Sequence, residues 1–222
     1  MRKKVSVGID EAGRGPLCGP VVAAAVCFRE SEERLATLPE WTFIRDSKKL
    51  SEKQREKMFG FIMEHCFVGV GIMQADTVDR VNILEATFLA MKAALSELKR
   101  VTADELRLEE ENTQVLVDGN QLIPNIPYEQ QAIVDGDALV KSIAAASIIA
   151  KVTRDRIMVE YDREYPQYGF SKHKGYGTKV HMDALRKFGP CPIHRMSFRP
   201  VLLALPENVN RRFAHVLRPK KK

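Results

Sequence analysis

The sequence predicts an α/β fold in which a mixed sheet is layered with helices. Three observations carry this reading. Two apolar, strand-like runs at residues 5–10 and 21–28 are joined by a loop rich in glycine and proline. Residues 81–98 hold apolar positions at helical spacing, and a long helix is expected over about residues 139–163. Further strand-like runs separate these segments. The order strands, helix, strand, helices is that of a layered α/β domain.

Taken along the chain, the first strand pair reads as carrying Asp10 and Glu11 at its open end. In residues 47–64, Ser51 followed three residues later by Gln54 forms a capping box for a helix. Residues 66–75 (CFVGVGIMQA) read as a buried strand, and the helical segment 81–98 follows. The acidic stretch 102–112 reads as an exposed helix end or loop, and 113–120 (TQVLVDGN) as a strand whose apolar run stops at Asp118 and Gly119. Residues 131–137 read as a further short strand. After the long helix, a last helical stretch starts near Thr178 and ends at Gly189, with Pro190 and Pro192 beyond it. One domain is expected over residues 1–200, C-terminal helices included. A basic tail over 201–222 is expected to be loosely ordered from Arg211 onward and to add affinity for a polyanion.

Composition bounds the function. A chain of 222 residues, 45% hydrophobic and 29% charged, can bury one good core. A net charge of +6 and a pI of about 9.1 fit a polyanionic partner without requiring one. The apolar run after MRKK is too short for a signal peptide, and no stretch approaches the length of a membrane helix. A cytoplasmic protein is therefore expected. Cys18, Cys27, Cys66 and Cys191 show no CxxC spacing and read as free thiols. Cys191 and His194 lie three apart with no second ligand pair, which disfavours zinc.

The chemistry concentrates in VSVGIDEAGRGPLCGP, residues 5–20. Asp10 and Glu11 offer two carboxylates, and Gly13-Arg14-Gly15 offers bare cationic backbone that can approach a phosphodiester. Asp118 ends a strand. Ser147, Lys151 and Asp155 recur at intervals of four on the long helix and share roughly one face. Magnesium and manganese prefer oxygen ligands. Two such ions about 3.5–4 Å apart can activate a water and stabilise a leaving oxygen. Several acids crowded together repel one another without metal, so metal binding should stabilise the fold. Singly, each acid has a structural reading: Asp118 as a turn residue before Gly119, Asp155 as the partner of an arginine on its own helix.

Together these residues carry a resemblance. GIDEAGRGPLCGPVVAAAV is similar to the opening motif of type 2 ribonucleases H. The similarity continues through DSKKLS at 46–51, NILEAT at 82–87, VDGN at 117–120, KSIAAASIIAKVTRDR at 141–156, HKGYGT at 173–178 and HRMSF at 194–198. The chain thus resembles that family, and within it bacterial ribonuclease HII, over nearly its whole length. The resemblance implies an RNase H-like mixed sheet flanked by helices, with a C-terminal helical extension. It implies cleavage of the RNA strand of RNA–DNA hybrids and incision 5′ of single ribonucleotides embedded in duplex DNA, leaving a 3′ hydroxyl and a 5′ phosphate. Two Mg2+ or Mn2+ ions would be held by Asp10, Glu11, Asp118 and Asp155, with Asp10 bridging. Gly13, Arg14 and Gly15 would read the ribose 2′-OH, the group that separates RNA from DNA. Tyr176 would pack against the sugar on the 3′ side. On its own Tyr176 reads equally as packing or stacking.

Lys48 and Ser147 are further candidates for substrate contact, and Lys48 reads equally as a solvated loop lysine. Lys141, Lys151, Lys172 and Lys174 would add positive field along the duplex. His173 and His194 read as structural. A related bacterial type carries an extra N-terminal domain and tends to have lysine where Arg14 stands; an acidic pair already at residue 10 favours the shorter type, expected as a monomer. Two other readings compete. A binding module that has lost catalysis would show a broken acid set. Another nuclease on the same fold would lack the GRG loop paired with HKGYGT. A triphosphatase is excluded because no GxxxxGK[ST] loop exists.

Overall fold

The computed structural model describes residues 4–205 of the chain. They form two compact units. The first comprises residues 4–12, 22–72 and 87–153, and the second 13–21, 73–86 and 154–205. The expected tail lies outside the described residues, apart from its first five positions. The boundary expected at 200/201 falls inside a helix, Arg199–Leu203.

The sheet has five strands: β1 (Val5–Ala12), β2 (Val21–Phe28), β3 (Cys66–Met73), β4 (Thr113–Asp118) and β5 (Glu129–Ile133), in the order β3-β2-β1-β4-β5. β1 runs antiparallel to β2 and parallel to β4, and β4 runs parallel to β5. In chain order the helices are α1 (Glu32–Leu35), α2 (Glu52–His65), α3 (Ala75–Val81), α4 (Ile83–Thr102), α5 (Gly136–Leu139), α6 (Lys141–Glu164), α7 (Phe170–His173), α8 (Lys179–Phe188) and α9 (Arg199–Leu203). Among the described residues no helix is long and apolar enough to cross a membrane.

Local chemistry accounts for the main elements. The Ser51 hydroxyl accepts the Gln54 N–H, and the Gln54 side chain accepts the Ser51 N–H, so the capping box at α2 is complete. Met58, Phe61 and Ile62 then fall on one face of α2 and are buried. They join Ala24 and Val26 of β2 and the alanine and isoleucine run of α6 in one apolar cluster. α6 comes down onto β1 at Gly8, where a Cβ would lie 2.2 Å from the Ser142 carbonyl carbon. α4 reaches β3 the same way, since a Cβ on Gly69 or Gly71 would lie 2.1 or 2.0 Å from the carbonyl oxygen of Ala94 or Ala90. Burying the small side chains of α6 against β1 and β2 is what brings Ser147 beside the strand end that carries Asp10.

In the second unit, α8 starts at Thr178, whose hydroxyl accepts the His181 N–H, and stops at Gly189 at φ +73°. Three expectations change. The strand expected over 131–137 is β5, Glu129–Ile133. The chain then turns at Asp135, at φ +54°, and Asp137 belongs to a helix. α3, α7 and α9 have seven, four and five residues, too few turns to show a helical period in the sequence. Asp10 and Glu11 pair with Ala24 and Ala23, beside the last pair Ala12–Val22. The carboxylates therefore sit at the end of the strand pair that the loop closes, not at its open end.

Candidate metal centre and substrate loop

Register assembles the acids of the first unit. Ile9 of β1 faces Val117 of β4, so Asp10 and Asp118 occupy the next step of neighbouring parallel strands. Strands spaced about 4.8 Å apart hold such side chains close together. Asp10 is 5% exposed. Burial, then the charges of Glu11 and Asp118, raise its pKa well above the usual carboxylate range. A hydrogen bond from Ser147 and the Glu11 N–H at 2.6 Å work the other way. Asp118 is also raised, first by burial and then by Asp137, against hydrogen bonds from the backbone of Asp137 and Gly136. The Asp137 N–H donates to Asp118 Oδ1 at 3.2 Å. Gly136 is needed there, because a Cβ would lie 2.7 Å from Ile143 Cδ1 and 3.2 Å from Asp118 Oδ1.

Asp137 is a candidate site residue that the sequence reading missed. It is buried and receives Lys48 Nζ at 3.3 Å. The available signal was the Gly-Asp pair just ahead of α6, which the expected strand over 131–137 absorbed. Asp155, expected as the fourth carboxylate, lies in the second unit on the C-terminal half of α6. It is buried, and its charge favours the charged form of its neighbour Arg154. Within the first unit, Asp137 is grouped with Asp118.

Lys48 and Ser147 find clear partners. Desolvation works against the Lys48 charge, but Asp137, Asp10 and Asp46 outweigh it and raise its pKa. Ser147 is buried, 2.9 Å from the Ser47 hydroxyl and bonded to Asp10. It orients a carboxylate rather than facing solvent. This donor set consists of carboxylate oxygens, and burial disfavours the anionic forms of Asp10 and Asp118, so it fits a hard divalent cation. A cavity of about 590 Å³ lies elsewhere in the first unit, lined by Ser6, Phe28, Arg29, Phe67 and Glu105 among others.

The second unit builds the loop. Of residues 13–20 only Arg14 and Gly15 are exposed. Gly13 stands at φ +98°, where a Cβ would also lie 2.2 Å from Arg154 Nε. Arg154, 1% exposed, donates to the carbonyls of Pro20, Cys18 and Lys174 at 2.9–3.1 Å. Tyr176 is 46% exposed beside Gly15, where a Cβ would lie 3.6 Å from its Cε1. Gly13, Arg14, Gly15 and Tyr176 therefore come together.

His173, His181 and His194 brace this loop from behind. The Cys191 N–H donates to His194 Nδ1 at 3.0 Å, so His194 carries its proton on Nε2 and donates to His181 Nε2 at 3.0 Å. His181 Nδ1–H in turn donates to the Tyr176 carbonyl at 3.0 Å. Burial holds both rings neutral, His194 at about 4. Cys18 Sγ lies 4.0 Å from His181 Nε2, and burial pushes that thiol up to about 12. The ligand atoms of Cys18, His181 and His194 fall within 4.8 Å of one another. Both Nε2 atoms are already committed to each other, and the trio reads as a saturated hydrogen-bond chain. His173 is satisfied by the Tyr168 carbonyl and the Gly175 N–H.

Acids gathered on the adjoining ends of parallel strands, in a sheet of this order, mark nucleases of the RNase H-like fold. Solved structures agree. The ribonuclease HII in the PCNA complex from Archaeoglobus fulgidus superposes with a TM-score of 0.68 at 25% identity, covering 88% of this chain and 95% of that one. Ribonuclease H2 from Pyrococcus horikoshii gives 0.65 at 26% identity, covering 95% and 99%. The family model for ribonuclease HII matches residues 7–201. The ribonuclease HII of Endomicrobium trichonymphae is 49% identical over 195 residues, 87% of this chain and 85% of that protein. That of Fusobacterium nucleatum is 51% identical over 202 residues, 90% and 88%. This chain belongs to the ribonuclease HII family. It is a metal-dependent endoribonuclease of the type 2 ribonuclease H class, and its substrate is nucleic acid.

Proposed function

We propose that the protein cuts the RNA strand of RNA–DNA hybrids and incises duplex DNA on the 5′ side of single embedded ribonucleotides, leaving a 3′ hydroxyl and a 5′ phosphate. The grouping of Asp10, Asp118 and Asp137, on neighbouring strand ends and the helix that follows, carries this reading. Asp10, Glu11, Asp118 and Asp137 hold the metal, with Asp137 in the place first expected for Asp155. Two bound Mg2+ or Mn2+ ions would supply an activated water and stabilise the leaving 3′ oxygen. Ser147 fixes the Asp10 carboxylate, supported in turn by Ser47. Lys48 neutralises Asp137 and would contact a phosphate oxygen of the substrate. Gly13, Arg14 and Gly15 read the ribose 2′-OH through the backbone, and Tyr176 packs against the next sugar. The protein works as a cytoplasmic monomer in removing ribonucleotides from DNA.

The test is a labelled DNA duplex carrying one ribonucleotide, incubated with protein and Mg2+ or Mn2+, with Asp118→Asn alongside. A single cut 5′ of the ribonucleotide, absent in EDTA and in the variant, is the expected result. A folded protein that binds the duplex and cuts with neither ion would instead be a binding module.

A further inference from the structure

The guanidinium of Arg195 is fully buried, and carbonyl oxygens of the glycine loop take up its hydrogen bonds. Nη2 donates to Gly13 O at 2.6 Å and Gly19 O at 2.9 Å. Nη1 donates to Arg14 O at 3.1 Å and Pro16 O at 2.8 Å, and Nε to Gly19 O at 3.1 Å. A guanidinium has five N–H groups, and all five are used. Its own backbone N–H donates to Leu17 O at 2.9 Å, and Phe198 lies under its plane, 5.2 Å from Cζ to ring centroid. Burial and the neighbouring Arg154 lower its pKa only to about 10, opposed in part by Asp79, so it is charged at neutral pH. Asp79 itself accepts from the Met196 and Ser197 N–H groups at 2.8 Å.

A trans peptide points its C=O and the following N–H in opposite directions. The carbonyls of Gly13 and Arg14 are drawn inward to Arg195. The N–H groups that follow them, of Arg14 and Gly15, are therefore aimed the other way, and these are the two exposed residues of the loop. The next such N–H, of Leu17, is taken by Gly175 O at 2.9 Å.

We infer that Arg195 is a positioning residue for ribonucleotide recognition: by holding the Gly13 and Arg14 carbonyls inward, it presents the Arg14 and Gly15 amides to the oxygens of the ribonucleotide. The inference rests on the reading of this loop given above. Arg195 touches no substrate. Its planar fork fixes several carbonyls at once, which the three donors of a lysine cannot reproduce.

The experiment compares affinity, in EDTA so that nothing is cut, for a duplex with one ribonucleotide and for the all-deoxy duplex of the same sequence. The wild type should prefer the ribonucleotide. In Arg195→Lys and Arg195→Gln that preference should fall by about tenfold or to nothing, with all-deoxy binding and Mn2+ affinity retained. A merely structural role would lower all three together. A preference kept in both folded variants overturns the role of Arg195. No preference in the wild type overturns the reading of the loop instead. Should both variants fail to fold, amide spectra of the wild type decide. The Arg14 and Gly15 amides should shift more with the ribonucleotide duplex than with the all-deoxy one, and equal shifts sink the inference.

Discussion

The acids of the first unit and the arginines of the second bury charge in opposite ways. Asp10 and Asp118 face other carboxylates, and burial and repulsion both disfavour their ionised forms. Arg154 and Arg195 are buried at least as deeply, yet backbone carbonyls accept from their guanidinium N–H groups. One region is left unbalanced until a cation arrives. The other is balanced by the chain itself and stands ready before substrate binds. A metal centre gains from incomplete compensation, because the missing charge is what it selects for. A loop proposed to discriminate one hydroxyl gains from rigidity, because reorganisation on binding would erode the discrimination.

The largest effect expected from this contrast separates Asp137 from Asp155. Asp137→Asn should lower cleavage by roughly 10²–10³-fold, as loss of a charged group in the reacting centre does, with folding intact. Asp155→Asn should act mainly through stability, since the charge it loses is one that favours the buried Arg154. Single-turnover rates set against thermal midpoints for the two variants make the measurement. A hundredfold loss for Asp155→Asn at unchanged midpoint, with Asp137→Asn active, would restore the set first expected from the sequence.

A smaller effect probes the loop. Tyr176 is half exposed beside Gly15, and contacts of an aromatic with nucleotides are worth about 1–3 kcal/mol by alanine substitution. Tyr176→Ala should therefore lose about tenfold or more at single embedded ribonucleotides, and less on continuous hybrids. Equal loss on all substrates would mean that Tyr176 holds the fold.

How much of this was legible follows from what a sequence displays. β1, β2, β4, α2, α6 and α8 announce themselves through alternation, caps and long periods. Asp10, Glu11 and Asp118 stand at visible strand ends. The Asp137 position was hidden, because a turn at Asp135 and a four-residue helix have no period to read. Ser147, Lys151 and Asp155 do share a helix stripe, but that helix passes from the first unit into the second, and spacing alone cannot say where along it a site stops. The role of Arg195 was hidden for a different reason. HRMSF is legible as a motif, but its five bonds reach residues about 180 positions earlier.

The smallest effect tests the unbalanced state of the acids directly. The folded protein raises the Asp10 pKa, first through burial and then through Glu11 and Asp118. A carboxyl raised above its unfolded value, near 3.9, stabilises the fold while protonated. Its contribution is present in full below about pH 4 and is lost as pH rises through the folded value. At neutral pH without metal, ionised Asp10 therefore weighs against folding. Asp10→Asn cannot ionise and can still accept the Glu11 N–H. In EDTA at pH 7 it should melt above the wild type, by about 2–4 °C for each kcal/mol relieved. The gap should narrow as pH falls toward 4, and saturating Mn2+ should reverse it, since only the wild type gains the full binding energy of the ion. A variant that melts at or below the wild type in EDTA at pH 7 would mean that Ser147 and the Glu11 amide already compensate the Asp10 charge. The two regions would then bury charge alike.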